Sequence, residues 1–375
     1  MPWNLTPVSE QRLAFVNLVQ IHHLAVAEAC RRCLISRKTG YKWLQRHRDE
    51  PLRPLVDHSR RPDHSPARTC SSIEQRILEV RDRYRWGARK IHAVLSRQGL
   101  DPPSIRTVHA VLRRHDRIQP RPTAASEPRS FVRSRPNELW QMDHKGPLEV
   151  ARRRRYPITI IDDHSRYLFP MKLCDDLAHQ TAWDHLWEVF GHCGMPEQFL
   201  CDNAFSTRHL PRTLTAFERD LIRLDITPIH GRPYHPQTQG KVERIHGTFE
   251  RELYPAIRRD SVPHFEQDAE HWRNVYNCSR PHEGLDDDAP ITRWLPSTRI
   301  RPKCLPDVEY PADAQTRAVS KGGHISYRGY HIAAGEGLAQ HRVRIEERDD
   351  AIAVYYSWKL VRIVPNSELS KGIRL

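Results

Sequence analysis

Leu139-Trp140-Gln141-Met142-Asp143-His144-Lys145-Gly146 is where the chain changes its period. Before it, apolar residues recur three and four apart; from Asn137 they alternate, the pattern of strands in a sheet. Glu138–Leu148 reads as a strand that carries an acid, Asp143, among apolar neighbours. Tyr156–Asp162 reads as a second strand, joined to the first through the basic turn Arg152–Arg155, and Tyr167–Leu173 as a third. Ala178–His192 has helical spacing, with Trp183, Leu186, Trp187 and Phe190 on one face. Glu197–Cys201 and Thr227–Ile229 are short strands, and Gly240-Lys241 opens a helix through about Tyr254. Three antiparallel strands followed by alternating helices and strands imply an α/β layer architecture.

Upstream of this block the chain is helical and basic. Residues 1–49 have the layout of a helix-turn-helix DNA-binding domain, with Ser36 as N-cap of a helix presenting Arg37, Lys38 and Lys42 to DNA. Residues 50–71 form a basic, proline-rich linker containing Arg60 and Arg61, suited to following a phosphate backbone or minor groove. Residues 72–119 repeat the helical layout. Arg85-Trp86-Gly87-Ala88-Arg89-Lys90-Ile91 opens one helix, Gly99 ends it, and Ser104 caps Ile105–Arg114. Arg89, Lys90, Arg106 and Arg113 are the DNA-contact candidates of this second unit. Downstream, a helical connector is expected over 266–300. Five short alternating segments over 305–375 read as a small β-barrel domain.

Charge follows the same division. The 375 residues hold 60 Lys+Arg against 46 Asp+Glu, a formal charge of +14. Residues 1–130 contain 25 basic and 12 acidic side chains, residues 131–265 contain 19 and 18, and the remainder 16 and 16. A basic excess confined to one end points to a polyanion, double-stranded DNA above all. Mean hydropathy is −0.71, and no run approaches the roughly 20 apolar residues of a membrane helix. The first residues lack signal-peptide character, so a cytoplasmic, nucleoid-associated protein with reduced thiols is expected. Cys30 and Cys33 form a lone Cys-x-x-Cys without a second ligand pair, which fits a small core better than a zinc site.

Three acids stand out by position: Asp143 in the first strand, Asp202 at a later strand end, and Glu243 in the first turn of the last core helix. Carboxylates converging on one point repel unless a hard divalent cation lies between them. Two such ions are a recurrent device for in-line displacement at phosphorus. Asp162 and Asp163 read instead as organisers of the turn containing Ser165 and Arg166. Glu250, two turns beyond Glu243, reads as a surface ion-pair partner.

Residues 130–285 resemble the integrase catalytic core of bacterial insertion-sequence transposases. The motifs are Trp140-Gln141-Met142-Asp143, Ile161-Asp162-Asp163-His164-Ser165-Arg166-Tyr167, Asp202-Asn203 and His235-Pro236-Gln237-Thr238-Gln239-Gly240-Lys241-Val242-Glu243-Arg244, followed by Tyr276-Asn277 and Arg280-Pro281-His282-Glu283. The resemblance implies an RNase H-like core over 130–265 with Asp143, Asp202 and Glu243 as a metal-binding catalytic triad. It also implies two Mg²⁺ ions (with Mn²⁺ as a substitute), DNA 3′-end cleavage and strand transfer, and a homodimer or larger assembly on DNA. Lys241, Arg244 and His235 are then candidates for phosphate contact. A nuclease of the same fold, or a DNA-binding regulator with an inert core, are the alternatives. Two departures from the pattern are Ala204, where relatives usually carry Gly, and the 40 residues between Asp202 and Glu243, several more than most relatives have.

Overall fold

Thr39 N donates to Ser36 Oγ at 3.1 Å, and the helix that Ser36 caps is the third of a compact trio. This computed structural model describes residues 7–57, 68–118, 132–201, 214–230 and 240–369, in two compact units, Met1–Arg68 and Thr69–Leu375. The first unit contains α1 (Val8–Gln20), α2 (Val26–Arg32) and α3 (Arg37–Asp49). Phe15, Val16, Ala29, Cys30, Trp43 and Leu44 close its small core. A Cβ on Gly40 would stand 2.5 Å from Cys30 Sγ, so only glycine allows α2 and α3 to approach this closely.

The second unit begins with another trio, α4 (Ser71–Tyr84), α5 (Ala88–Arg97) and α6 (Ile105–Arg114). Ile77, Trp86, Ile91, Leu95, Val108 and Val111 fill its interior. Gly99 takes a φ of +74° at the turn and Ser104 caps α6, as the sequence implies.

A mixed sheet follows, built from β1 (Leu139–His144), β2 (Leu148–Val150), β3 (Arg153–Asp162), β4 (Lys172–Cys174), β5 (Gln198–Cys201) and β6 (Thr227–His230). The strand order is β2-β3-β1-β5-β6, with β4 paired to Tyr156–Ile158 in the middle of β3. β1 is antiparallel to β3 and parallel to β5. The expected turn Arg152–Arg155 is shorter than read: Ala151 and Arg152 alone turn, both at positive φ, and Arg153–Arg155 continue as strand. The third expected strand is also cut down. Leu168 makes one bridge to Ile161 and Phe169 N donates to Ile160 O at 2.9 Å, but the register slips by one residue across Pro170 and Met171 before Lys172 pairs with Ile158.

Helices cover both sheet faces. On one side α7 (His179–Cys193) and α8 (Ala216–Arg223) bury Leu186, Val189, Phe190, Phe217 and Leu221 against Trp140, Ile160 and Phe199. On the other, α9 (Gly240–Glu252) buries Val242, Ile245 and Phe249 against Leu148, Val150 and Ile161. Next comes α10 (Val262–Cys278), whose Phe265, Ala269, Trp272 and Tyr276 belong to that same cluster. The connector expected from residue 266 therefore starts inside a helix of the core. Asn277 fastens its end to the sheet, accepting from Leu168 N at 2.9 Å and donating to Leu168 O at 2.8 Å.

The tail carries β7 (Thr316–Ala318), β8 (His324–Tyr327), β9 (Tyr330–Ala333), β10 (Arg342–Glu347), β11 (Ala351–Tyr356) and β12 (Lys359–Pro365). Their pairing differs from the closed barrel expected. Among the described residues it is an open four-stranded sheet, β12-β11-β10-β7, and a separate β8-β9 hairpin around one apolar core. Leu214 and Ile222 from the α8 region enter that core and cover it from the α/β domain. Gly337 lies so close to the Leu214–Ala216 backbone that a side chain there would collide, and Arg219 Nη1 donates to Gly337 O at 2.9 Å. No helix among the described residues is long and apolar enough to cross a membrane.

Candidate active site

Asp143 stands on β1 opposite Thr159 of β3, one residue beyond Met142, whose parallel partner in β5 is Cys201. Asp202 follows Cys201 directly in sequence and lies outside the described residues, as do Ala204 and His235. The third acid comes from α9. Its apolar residues Val242, Ile245 and Phe249 dock the helix on the sheet, leaving Glu243 exposed in the first turn.

His246 joins these elements and was not singled out from sequence. Three residues after Glu243, it occupies the same helical face one turn on. Its Nε2 lies 2.8 Å from Thr159 Oγ1, and its Nδ1 3.9 Å from Asp143 Oδ2. Thr159 Oγ1 in turn donates to Asp143 O at 3.2 Å. With its proton given to that bond, Thr159 accepts at Oγ1, which assigns the imidazole proton to Nε2 and leaves Nδ1 facing the carboxylate. Burial pushes His246 down to about 4, with the nearby Lys145 ammonium acting in the same sense. The ring is therefore neutral at pH 7 and places no fixed positive charge beside Asp143. Lys145 is itself compensated, its Nζ 2.5 Å from Glu250 Oε1. Hard carboxylate oxygens beside a neutral imidazole suit Mg²⁺. Among the described residues no three or more His, Cys, Asp or Glu side chains come together as a group that could hold a metal ion.

The paired acids at the end of β3 are structural, as the sequence reading has them. Asp162 Oδ1 accepts from Ser165 N and Oγ, while Oδ2 accepts from Asn137 N. Asp163, fully buried, accepts from Arg133 N and from Gln141 Nε2. Lys241 Nζ also donates to its carboxylate and, at 3.2 Å, to its backbone oxygen. Desolvation, reinforced by Arg166, pushes the Lys241 ammonium down to about 8. Thus Lys241, a candidate for phosphate contact, is turned inward and clamps the start of α9 to the sheet. Arg244 is exposed on the same helix.

The remaining DNA-contact candidates divide sharply. Arg37, Lys38 and Lys42 are exposed on α3, with Lys42 Nζ 3.7 Å from Asp57. Arg106 and Arg113 are exposed on α6. Arg60 and Arg61 lie outside the described residues. Arg89, also exposed, is taken up by acids, bonding Asp287 through Nε and Glu283 through Nη1 at 2.8 Å, and desolvation holds Lys90 below the usual lysine range.

Residues 133–236 match a family model described as Integrase core domain, and residues 224–290 match a second model of the same description. Residues 133–290 are thus similar to integrase core domains. Within them, β1, β5 and α9 supply Asp143, the strand leading to Asp202, and Glu243. Residues 39–112 match a Homeodomain-like domain model. The chain is 22% identical over 316 residues to the transposase for transposon Tn552 of Staphylococcus aureus, covering 69% of this chain and 61% of that protein. It is 30% identical over 119 residues to the Gag-Pro-Pol polyprotein of mouse mammary tumor virus (strain BR6), covering 32% of this chain and 6% of the polyprotein. The chain thus spans less than two thirds of each relative. Among solved structures, the HTLV-2 integrase catalytic core domain in complex with magnesium aligns at 14% identity and a TM-score of 0.33, covering 43% of this chain and 97% of that one.

Proposed function

We propose that this chain is a DNA transposase that binds the ends of a mobile element, cleaves DNA to expose a 3′-OH and joins that end to target DNA. The observation that carries the reading is the convergence of β1 and α9 at the Asp143–His246 contact of 3.9 Å, within the region similar to integrase core domains. Asp143, Asp202 and Glu243 are the residues that would hold Mg²⁺, as two ions. Bound there, the metal supplies the Lewis acidity that activates the attacking oxygen and stabilises the leaving one. Asp143 is held by the sheet, where Thr159 Oγ1 donates to its backbone oxygen and in turn accepts from His246 Nε2. Glu243 is oriented by a helix that Lys241 fixes at its first turn. Arg244, exposed beside Glu243, meets a backbone phosphate.

Residues 1–49 and 72–119 are the recognition units, 50–71 the basic linker and 130–265 the catalytic domain, extended by the α10 packing. Exposed cations on α3 and α6 bind the element ends, and synapsis of two ends requires a homodimer or larger assembly. A cytoplasmic site of action at the nucleoid follows from that substrate. The test is a gel assay with duplexes carrying the ends that flank the reading frame, Mg²⁺ and a target plasmid. Cleaved 3′ ends and joined products are expected from the wild type and neither from Asp202→Asn. Cleavage without joining would make it a nuclease, and full biological activity of Asp143→Ala/Glu243→Ala would make the core inert.

A further inference from the structure

Two motifs far apart in sequence, Trp86–Ile91 and Arg280–Glu283, meet in the fold. Trp86 Nε1 donates to Glu252 Oε2 at 3.3 Å, and Arg280 grips the same carboxylate through Nε and Nη2 at 2.9–3.1 Å. The Glu252 and Arg280 side chains are only 9% and 7% exposed. Beside this node Arg89 Nε reaches both Asp287 oxygens at 3.1 and 2.9 Å, its Nη1 reaches Glu283, and Arg97 Nη2 donates to Asp287 O at 3.2 Å. Val275 of α10 packs into the α4–α6 interior. Glu252 ends α9, the helix that begins with Glu243.

We infer that these contacts form a latch that holds the α4–α6 trio at a fixed place on the catalytic domain, so that the distance from the exposed α6 cations to Glu243 selects which phosphodiester is cut. A flexibly tethered recognition unit would let the scissile bond wander over the reach of its linker; a docked one sets it by a rigid span. Arg89 is in this account a positioning residue, acting through Asp287 and Glu283 and not through DNA. The inference rests on the transposase reading above, and its test separates the two.

Full-length wild type, Arg89→Glu and the swap Arg89→Glu/Asp287→Arg are compared on one end duplex, by fluorescence anisotropy for affinity and by nucleotide-resolution mapping of cuts. Wild type should cut at one position. Arg89→Glu should bind within about threefold of wild type but cut at several neighbouring positions, with at least a tenfold loss at the native one; the swap should restore the single cut. Unchanged cutting by Arg89→Glu overturns the latch. So does binding weakened more than tenfold with a salt slope lowered by about one, which would place Arg89 on a phosphate. A wild type that cuts nothing sinks the transposase reading alone, and hydrogen exchange in α5 then decides the latch: Arg89→Glu should raise it and the swap restore it, whereas equal exchange in all three refutes it.

Discussion

Asp163 and Lys241, 78 residues apart, form a buried ion pair that fixes the first turn of the Glu243 helix to the sheet. The lysine side chain is 13% exposed and the carboxylate fully buried, so removing the ammonium leaves an uncompensated charge inside. Lys241→Ala should lower stability by about 3 kcal/mol, the low end for a broken buried pair, because Gln141 and Arg133 still donate to Asp163. Urea unfolding measures this. The salt dependence of DNA binding should stay unchanged, where a phosphate-contacting lysine would lower the slope by about one.

Arg106 and Arg113 are exposed on α6 and should behave oppositely. Each alanine variant should weaken binding to an end duplex and reduce the salt slope by about one while leaving the unfolding midpoint in place. Anisotropy titrations at several salt concentrations decide it; two variants with wild-type slopes would remove α6 from the interface.

The Glu252–Arg280 pair should be among the costlier single sites. Arg280→Ala strands a carboxylate whose partner Trp86 offers only one neutral donor, and should cost about 3–5 kcal/mol in chemical unfolding.

Three imidazoles, His185 buried and His246 and His282 half-buried, set the acid limit. Desolvation pushes His185 to about 4 and His282 to about 2, and His246 likewise sits at about 4, all from 6.5. Each folded value is depressed, so the stabilising effect is fully present above pH 6.5. It is lost as pH falls toward 4, where the unfolded chain takes up protons that the folded one refuses. Thermal unfolding midpoints should drop between pH 7 and pH 4.5, and His185→Gln should flatten that dependence.

Local signals told most of the fold. Ser36 and Ser104 cap their helices because a short hydroxyl before a helical run has one nearby use. The Val242, Ile245 and Phe249 spacing gave α9 its buried face. What the sequence left hidden was long-range. Nothing local says that Arg89 will meet Asp287, or that Lys241 will turn inward while Arg244 faces out, because both follow from docking between elements. Pro170, by contrast, carried a readable warning that the strand from Tyr167 would break. His246 was legible too, one helical turn from Glu243, had the face of α9 been projected onto β1.

The central claim is that Asp143 on β1 and Glu243 on α9 act at one metal-dependent centre for cleavage and joining. Strand transfer by Glu243→Gln, measured with end-containing oligonucleotides and Mg²⁺, tests it most directly. Cleaved and joined products should fall by at least a hundredfold, with end binding and folding preserved. Wild-type strand transfer by that variant would contradict it.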